Sequence, residues 1–257
     1  MIKFFRKIRQ NFLTENNPGK YFKYAIGEIV LVVVGILLAL AINNWNQSRV
    51  NAEKQIDYLI GIRADLEKQV ESLNASNQYY NLVIGKGESI LEDFSLFGKL
   101  SEIDSLNSKL SNLMYTRKYP EISTTFNELN STGQLNLITK KSLRSQIIKY
   151  YQNSEYYQKW VDGNTENVVY NQIFPVIKSN VIILPENFGF ENRKINLEDK
   201  LEATFQNNLK NPDKEFELLN VISLRIIVAK TNKGHIEKAR EEAEQLLVAI
   251  GKEIKHN

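Results

Sequence analysis

Residues 25–45 read AIGEIVLVVVGILLALAINNW, and the inner run from Ile29 to Ile42 contains no polar side chain. At about 1.5 Å rise per residue the stretch reaches about 31 Å, roughly the hydrocarbon thickness of a bilayer. Its Leu, Ile and Val residues contribute roughly −5 kcal/mol to insertion, and Glu28, within a turn of one end, opposes it by at most about 3 kcal/mol. The segment is therefore expected to span a membrane rather than to fill a soluble core. Gly35 and Ala39 form a small-xxx-small pair, ordinary in such helices, and Glu28 is placed to snorkel toward Lys23.

The flanks set the expected orientation. Residues 1–24 carry six Lys and Arg against Glu15, a net +5, so that of the chain's 33 basic and 30 acidic residues the remainder nets −2. By the positive-inside rule the basic arm stays cytoplasmic, Trp45 sits after the span as an interfacial anchor, and residues 46–257 are exported. Within the arm, Ile2, Phe5, Ile8 and Phe12 share one helical face. The pattern suits an amphipathic helix on an anionic leaflet, with Lys3, Phe5, Arg6, Lys7, Ile8 and Arg9 touching the membrane surface. Pro18-Gly19 is expected to break it. Ala39-Leu40-Ala41 also has the form that signal peptidases cut, but the long segment ahead of the run favours an uncleaved signal anchor.

Composition removes whole classes of chemistry. The 257 residues contain no Cys and two His, His235 and His256. Disulfides, thiolate metal sites, Fe–S clusters and a cysteine nucleophile are excluded, and most general-base arrangements lack their usual side chain. Without a basic excess beyond the arm, nucleic acid is not expected as a partner. No Ser-His-Asp arrangement, nucleophile elbow, phosphate loop or dinucleotide fingerprint appears. Glu237, Glu241 and Glu244 recur at helical spacing near His235, but Lys238 with Glu242 and Arg240 with Glu244 are ready i,i+4 pairs, so the set reads as a solvated helix face. Tyr150, Tyr151, Tyr156, Tyr157 and Tyr170 crowd one stretch. Such density suits a stacking surface for sugars or peptides, while helical spacing places at least half of them in the core. No catalytic residue, metal ligand or cofactor is assigned, and the chain is not expected to be an enzyme.

Beyond the span the chain reads as helix after helix, punctuated by prolines at 120, 175, 185 and 212. Ile56, Leu59, Leu66, Val70, Leu73 and Tyr80 form a heptad seam interrupted by Arg63 and Asn77, and Ile60 and Ile62 widen it toward a bundle helix. Gly85-Lys86-Gly87 is expected to end or bend that helix. Ser101 and Asp104 have capping-box spacing ahead of Leu106, Leu110 and Leu113, a short helix stopped by Pro120. A further helix is expected from near Thr139, stapled by Ile138 and Leu143, and running through Trp160. Residues 181–212 read as irregular, with Val181 to Leu184 a strand or a buried extended run. Phe216 to Ile227 and Ile236 to Ile254 read as two helices of a hairpin turning at Asn232-Lys233-Gly234.

The blocks MIKFFRKIRQ, KYFKYAIGEIVLVVVGILLALAINNWNQ and TTFNELNSTGQLNLITKKSLRSQIIKYY resemble an uncharacterised family of single-pass membrane proteins from flavobacterial-type Gram-negative bacteria. The resemblance implies topology and an envelope setting, and no catalytic residue. Leu129 to Leu135 reads as a helix-to-helix connection with Gly133 as its turn residue.

The expected protein is mainly α, with an arm at 1–24, one N-terminal transmembrane helix at 25–45 and an extracytoplasmic helical bundle at 46–257 containing an irregular segment near 181–212. The expected role is a structural or protein-interaction module of the inner membrane, facing the periplasm, or alternatively an envelope sensor subunit. Its expected partners are membrane lipid and a protein, either another chain or a second copy.

Overall fold

The structure, a computed structural model, describes residues 18–182 and 199–256. Among these the chain is helical, with no strand. The elements are α1 (Pro18–Phe97), a 3-10 turn (Leu100–Glu102), α2 (Leu106–Leu113), α3 (Thr124–Ser131) and a second 3-10 turn (Gln134–Leu137). Then come α4 (Lys141–Asn164), a π-helical stretch (Thr165–Ile173), α5 (Phe174–Asn180), α6 (Asp199–Lys210) and α7 (Pro212–His256). The chain divides into two compact units between Gln55 and Ile56.

In the first unit, α1 presents its apolar side chains outward. Phe22, Ile29, Leu31 and Ile42 are all more than 60% exposed. The helix runs from Pro18, whose fixed φ and missing N–H suit a first turn, and the arm from which Pro18-Gly19 was expected to separate it lies outside the described residues.

The second unit is built on long helices with seven-residue repeats. On α1, Leu59, Leu66, Leu73 and Tyr80 are buried in one row, and Ile62, Gln69, Ser76, Val83 and Ile90 in a second. The expected seam is thus corrected in its second row: Ile56 and Val70 are only half-buried and Ile60 is exposed, while Arg63 and Asn77 stay out of the buried rows as expected. Two polar residues in that row donate to backbone carbonyls. Gln69 donates to the Pro120 carbonyl at 2.5 Å and Ser76 to the Ser72 carbonyl at 2.9 Å.

Helix α7 repeats the pattern with Leu218, Ile222, Arg225, Ala229, Asn232, Ile236, Ala239, Ala243, Leu246 and Ile250, all buried at alternating steps of four and three. It runs antiparallel to this part of α1, since Gly87 meets Ile226 and Arg240 reaches Asn74. Helix α4 is antiparallel to α7 as well, with Lys140 bonded to Glu253 at 2.7 Å and Asn164 to Asn232 at 2.8 Å. Two apolar clusters result. One gathers Leu59, Leu66, Leu143, Ile147 and Leu246, and the other Leu73, Ile90, Leu110, Val161 and Ile222.

Several expected boundaries shift. Gly85-Lys86-Gly87 does not end α1, which continues to Phe97: Gly87 is a close-packing residue, and a Cβ there would lie 2.6 Å from Ile226 Cγ1. The expected hairpin at Asn232-Lys233-Gly234 is a single helix, because the Asn232 side chain is held inside the bundle by Asn164 and Tyr80. Ser101 lies in a 3-10 turn, and α2 starts after Ser105, which adopts φ 57°. It ends at Leu113, well before Pro120. The expected Leu129–Leu135 connection contains the last turn of α3, whose Thr125 N–H is capped by the Asp65 carboxylate at 2.7 Å. Gly133, at φ 67°, is the turn residue as expected. Helix α4 starts at Lys141, two residues beyond the expected Thr139, with Ile138 and Leu143 buried. Within the expected irregular region, residues 199–210 are helical, Val181 is extended, and residues 183–198 lie outside the described residues.

The π-helical stretch follows from its neighbour. Pro175, in the first turn of α5, has no N–H to donate and its ring crowds the carbonyl four residues back, so the preceding turns widen.

Candidate functional site

Three features stand out, each inside one unit. The first is the apolar stretch of α1, which contains a window of mean hydropathy 2.8 with none of it buried. By length and composition the helix can cross a membrane. Trp45 is 69% exposed and Gly35 has nothing within 4 Å of its would-be Cβ. The expected surface-contact residues Lys3, Phe5, Arg6, Lys7, Ile8 and Arg9 lie outside the described residues.

The second is a buried polar layer on α7. Arg225 is 1% exposed, and its guanidinium donates to the Leu113 carbonyl at 2.9 Å, the Tyr115 carbonyl at 2.8 Å and the Tyr79 hydroxyl at 2.9 Å. Tyr79 in turn donates to the Tyr115 carbonyl. These carbonyls belong to the C-terminal end of α2, where unpaired acceptors and the helix dipole favour a cation. One turn-pair along α7, Asn232 approaches the Tyr80 hydroxyl at 3.4 Å, and Tyr80 donates to the Arg117 carbonyl at 3.0 Å. Burial first pushes the Tyr80 phenol up to about 12. The layer is structural in its geometry: a cation spent on a helix end, with no carboxylate within 4 Å among the described residues.

The third is a groove along α4 and α7. Glu242 accepts from Asn153 Nδ2 at 3.0 and 3.1 Å and from the Tyr157 hydroxyl at 3.0 Å. Beside it lies a recess of about 260 Å³ that Gln146, Lys149 and Gln245 also line. Tyr150 lines the recess too and is 4% exposed, with its hydroxyl buried. Ser154, its neighbour, is engaged with the Tyr119 hydroxyl at 2.9 Å. Burial drives the Tyr150 phenol far above its ordinary value. Burial, then Glu242, pushes Tyr157 up to about 12.

Two turns along α4 from Asn153, Trp160 stacks on His235 with centroids 6.1 Å apart and planes at 22°. Tyr156 meets both rings edge-on, at 6.3 and 6.1 Å. Trp160 is 48% and Tyr156 53% exposed. Burial, then Lys238, lowers the His235 pKa below 6.5, which keeps the ring neutral.

The structure thus divides the crowded tyrosines. Tyr150, Tyr151 and Tyr157 are buried, whereas Tyr156 and Tyr170 are exposed. The expected ion-pair partners are also rearranged: Glu242 turns to α4, and Glu237 pairs with Lys233 at 3.5 Å. Among the described residues, no three His, Asp or Glu side chains gather as a metal site. Sequence reading passed over the pairing of Trp160 with His235. Its only signal was Trp160 continuing the tyrosine stripe at Tyr156 plus four.

The fold and these features define a helical protein with one long apolar helix near its N-terminus. The model of a family of unknown function, DUF6090, matches residues 28–180, and the chain belongs to that family. No curated protein and no solved structure matches it.

Proposed function

We propose that this is a single-pass inner-membrane protein of the envelope of a flavobacterial-type Gram-negative bacterium. Residues 25–45 form an uncleaved signal anchor, the basic arm is cytoplasmic, and residues 46–257 form a periplasmic structural or protein-interaction module without enzymatic activity. The carrying observation is the apolar run from Ile29 to Ile42, which is exposed along its whole length. Bare apolar surface on that scale is stable only in lipid or against a partner. Membrane lipid and a protein partner, another chain or a second copy, are the partners assigned, and nucleic acid is not. An envelope sensor subunit is the second reading, supported by the absence of any break in α1 between Pro18 and Phe97.

The absence of cysteine supplies the test. Ser131 is exposed at the end of α3, so Ser131→Cys offers a single thiol. With only the outer membrane permeabilised, a membrane-impermeant maleimide is expected to label the full-length band. Labelling of a product that begins after Ala41 would replace the anchor with a cleaved leader. Labelling only after lysis, while a cytoplasmic control stays protected, would reverse the topology.

A further inference from the structure

We propose that the recess between α4 and α7, together with the exposed rings of Tyr156 and Trp160 on the same face of α4, is a saccharide-binding site. On α4, Gln146, Lys149, Asn153, Tyr156 and Trp160 recur at steps of three and four, so they share one face over about 21 Å. Tyr156 and Trp160 are half exposed and offer ring faces, whose apolar area and negative quadrupole suit the C–H face of a pyranose. His235 stacks beneath Trp160 and fixes its plane before any ligand arrives, which lowers the ordering cost of binding.

The other half of the groove supplies polar partners. The Glu242 carboxylate is aimed by Asn153 and Tyr157 yet retains acceptor capacity, since a carboxylate offers about four lone-pair sites. Lys149, Gln146 and Gln245 around the same recess add donors and acceptors. The Tyr150 ring and Leu246 close the recess on its inner side. Stacking rings beside convergent carboxylate, amide and ammonium groups match a ligand with an apolar face and hydroxylated edges. Peptide recognition by strand addition needs an open sheet edge, and recognition of a helix needs an apolar groove. The described residues contain no strand, and the apolar lining of the recess is Leu246 and the Tyr150 ring. This assignment does not rest on the membrane anchor, and its test is blind to topology.

The chain has two tryptophans, Trp45 and Trp160, so Trp45→Phe leaves Trp160 as a reporter inside the proposed site. The full-length variant in a non-glycosidic detergent is titrated with triacetylchitotriose, cellotriose and maltotriose, and separately with the tetrapeptide Ala-Gln-Lys-Ala. A saturable change in Trp160 emission is expected with at least one trisaccharide. By calorimetry the affinity should fall about tenfold in Tyr156→Ala and in Glu242→Gln, and stay unchanged in Tyr170→Ala on another face. Circular dichroism checks each fold, and Tyr156, being half exposed, remains a usable variant even where Glu242→Gln unfolds the protein. A flat response to all three trisaccharides overturns the proposal. So does binding that Tyr156→Ala leaves intact, or a response to the tetrapeptide alone.

Discussion

Gly85 and Gly87 stand two residues apart on α1 and meet opposite surroundings. A Cβ on Gly85 would have nothing within 4 Å, whereas one on Gly87 would press on Ile226 Cγ1 at 2.6 Å and Cδ1 at 3.0 Å. Gly87→Ala is expected to lose about 1–3 kcal/mol through overpacking, while Gly85→Ala gains up to about 1 kcal/mol from helix propensity. Urea unfolding followed by circular dichroism should show midpoints moving in opposite directions. Arg225→Met strips the Leu113 carbonyl of its side-chain donor and leaves the Tyr115 carbonyl with Tyr79 alone, and should cost about 2–4 kcal/mol. Arg225→Lys should not rescue it, because one ammonium cannot reproduce the planar fork. A higher thermal midpoint in Arg225→Met would instead mean that desolvating the guanidinium outweighs its bonds. His235 has a folded pKa below 6.5, so the unfolded chain takes up its proton first as pH falls. Its stabilising contribution is full above 6.5 and is lost as pH drops toward the depressed folded value. His235→Phe should therefore flatten the stability profile below pH 6.5 relative to the parent protein, measured as thermal midpoint against pH. The sequence showed His235 among glutamates on its own helix. Its ring instead faces Trp160, and a partner so distant in the chain is invisible to a local window.

Helix α7 shows why element boundaries were misread. Its four-three repeat is unbroken from Leu218 to Ile250, but Arg225 and Asn232 occupy two of the core positions and disguise it. Asn-Lys-Gly then looks like a turn, since Gly and Asn favour turns when nothing else acts. The bundle acts by holding Asn232 against Asn164 and Tyr80, so the backbone continues. Gly234 has no neighbour within 4 Å of its would-be Cβ. Gly234→Ala should stabilise by up to about 1 kcal/mol and Gly234→Pro destabilise by about 3 kcal/mol or more. A hairpin with its turn at Gly234 would reverse the first effect and mute the second, so the pair of thermal midpoints separates the two backbones. On α1 the same disguise hid the second buried row, where Gln69 and Ser76 donate to carbonyls.

At the scale of the whole molecule, both apolar clusters lie between Leu59 and Ile250. A chain beginning at Ile56 is therefore expected to stay in solution without detergent and to unfold cooperatively, whereas the full chain should require detergent. Gel filtration and thermal unfolding of the two forms check this. Loss of solubility in the shortened chain would show that its surface, too, needs a partner. The sequence alone determined the apolar run, the helical class and the tyrosine-rich stretch, because hydropathy and periodicity are sums over neighbouring residues. Only the tertiary structure decided that Gly87 is a contact rather than a stop, that Asn232 continues a helix, and which tyrosines face outward. Each of those outcomes is set by a partner far away in the chain, and the energy of meeting that partner exceeds the local preference of about 1 kcal/mol that a sequence window can weigh.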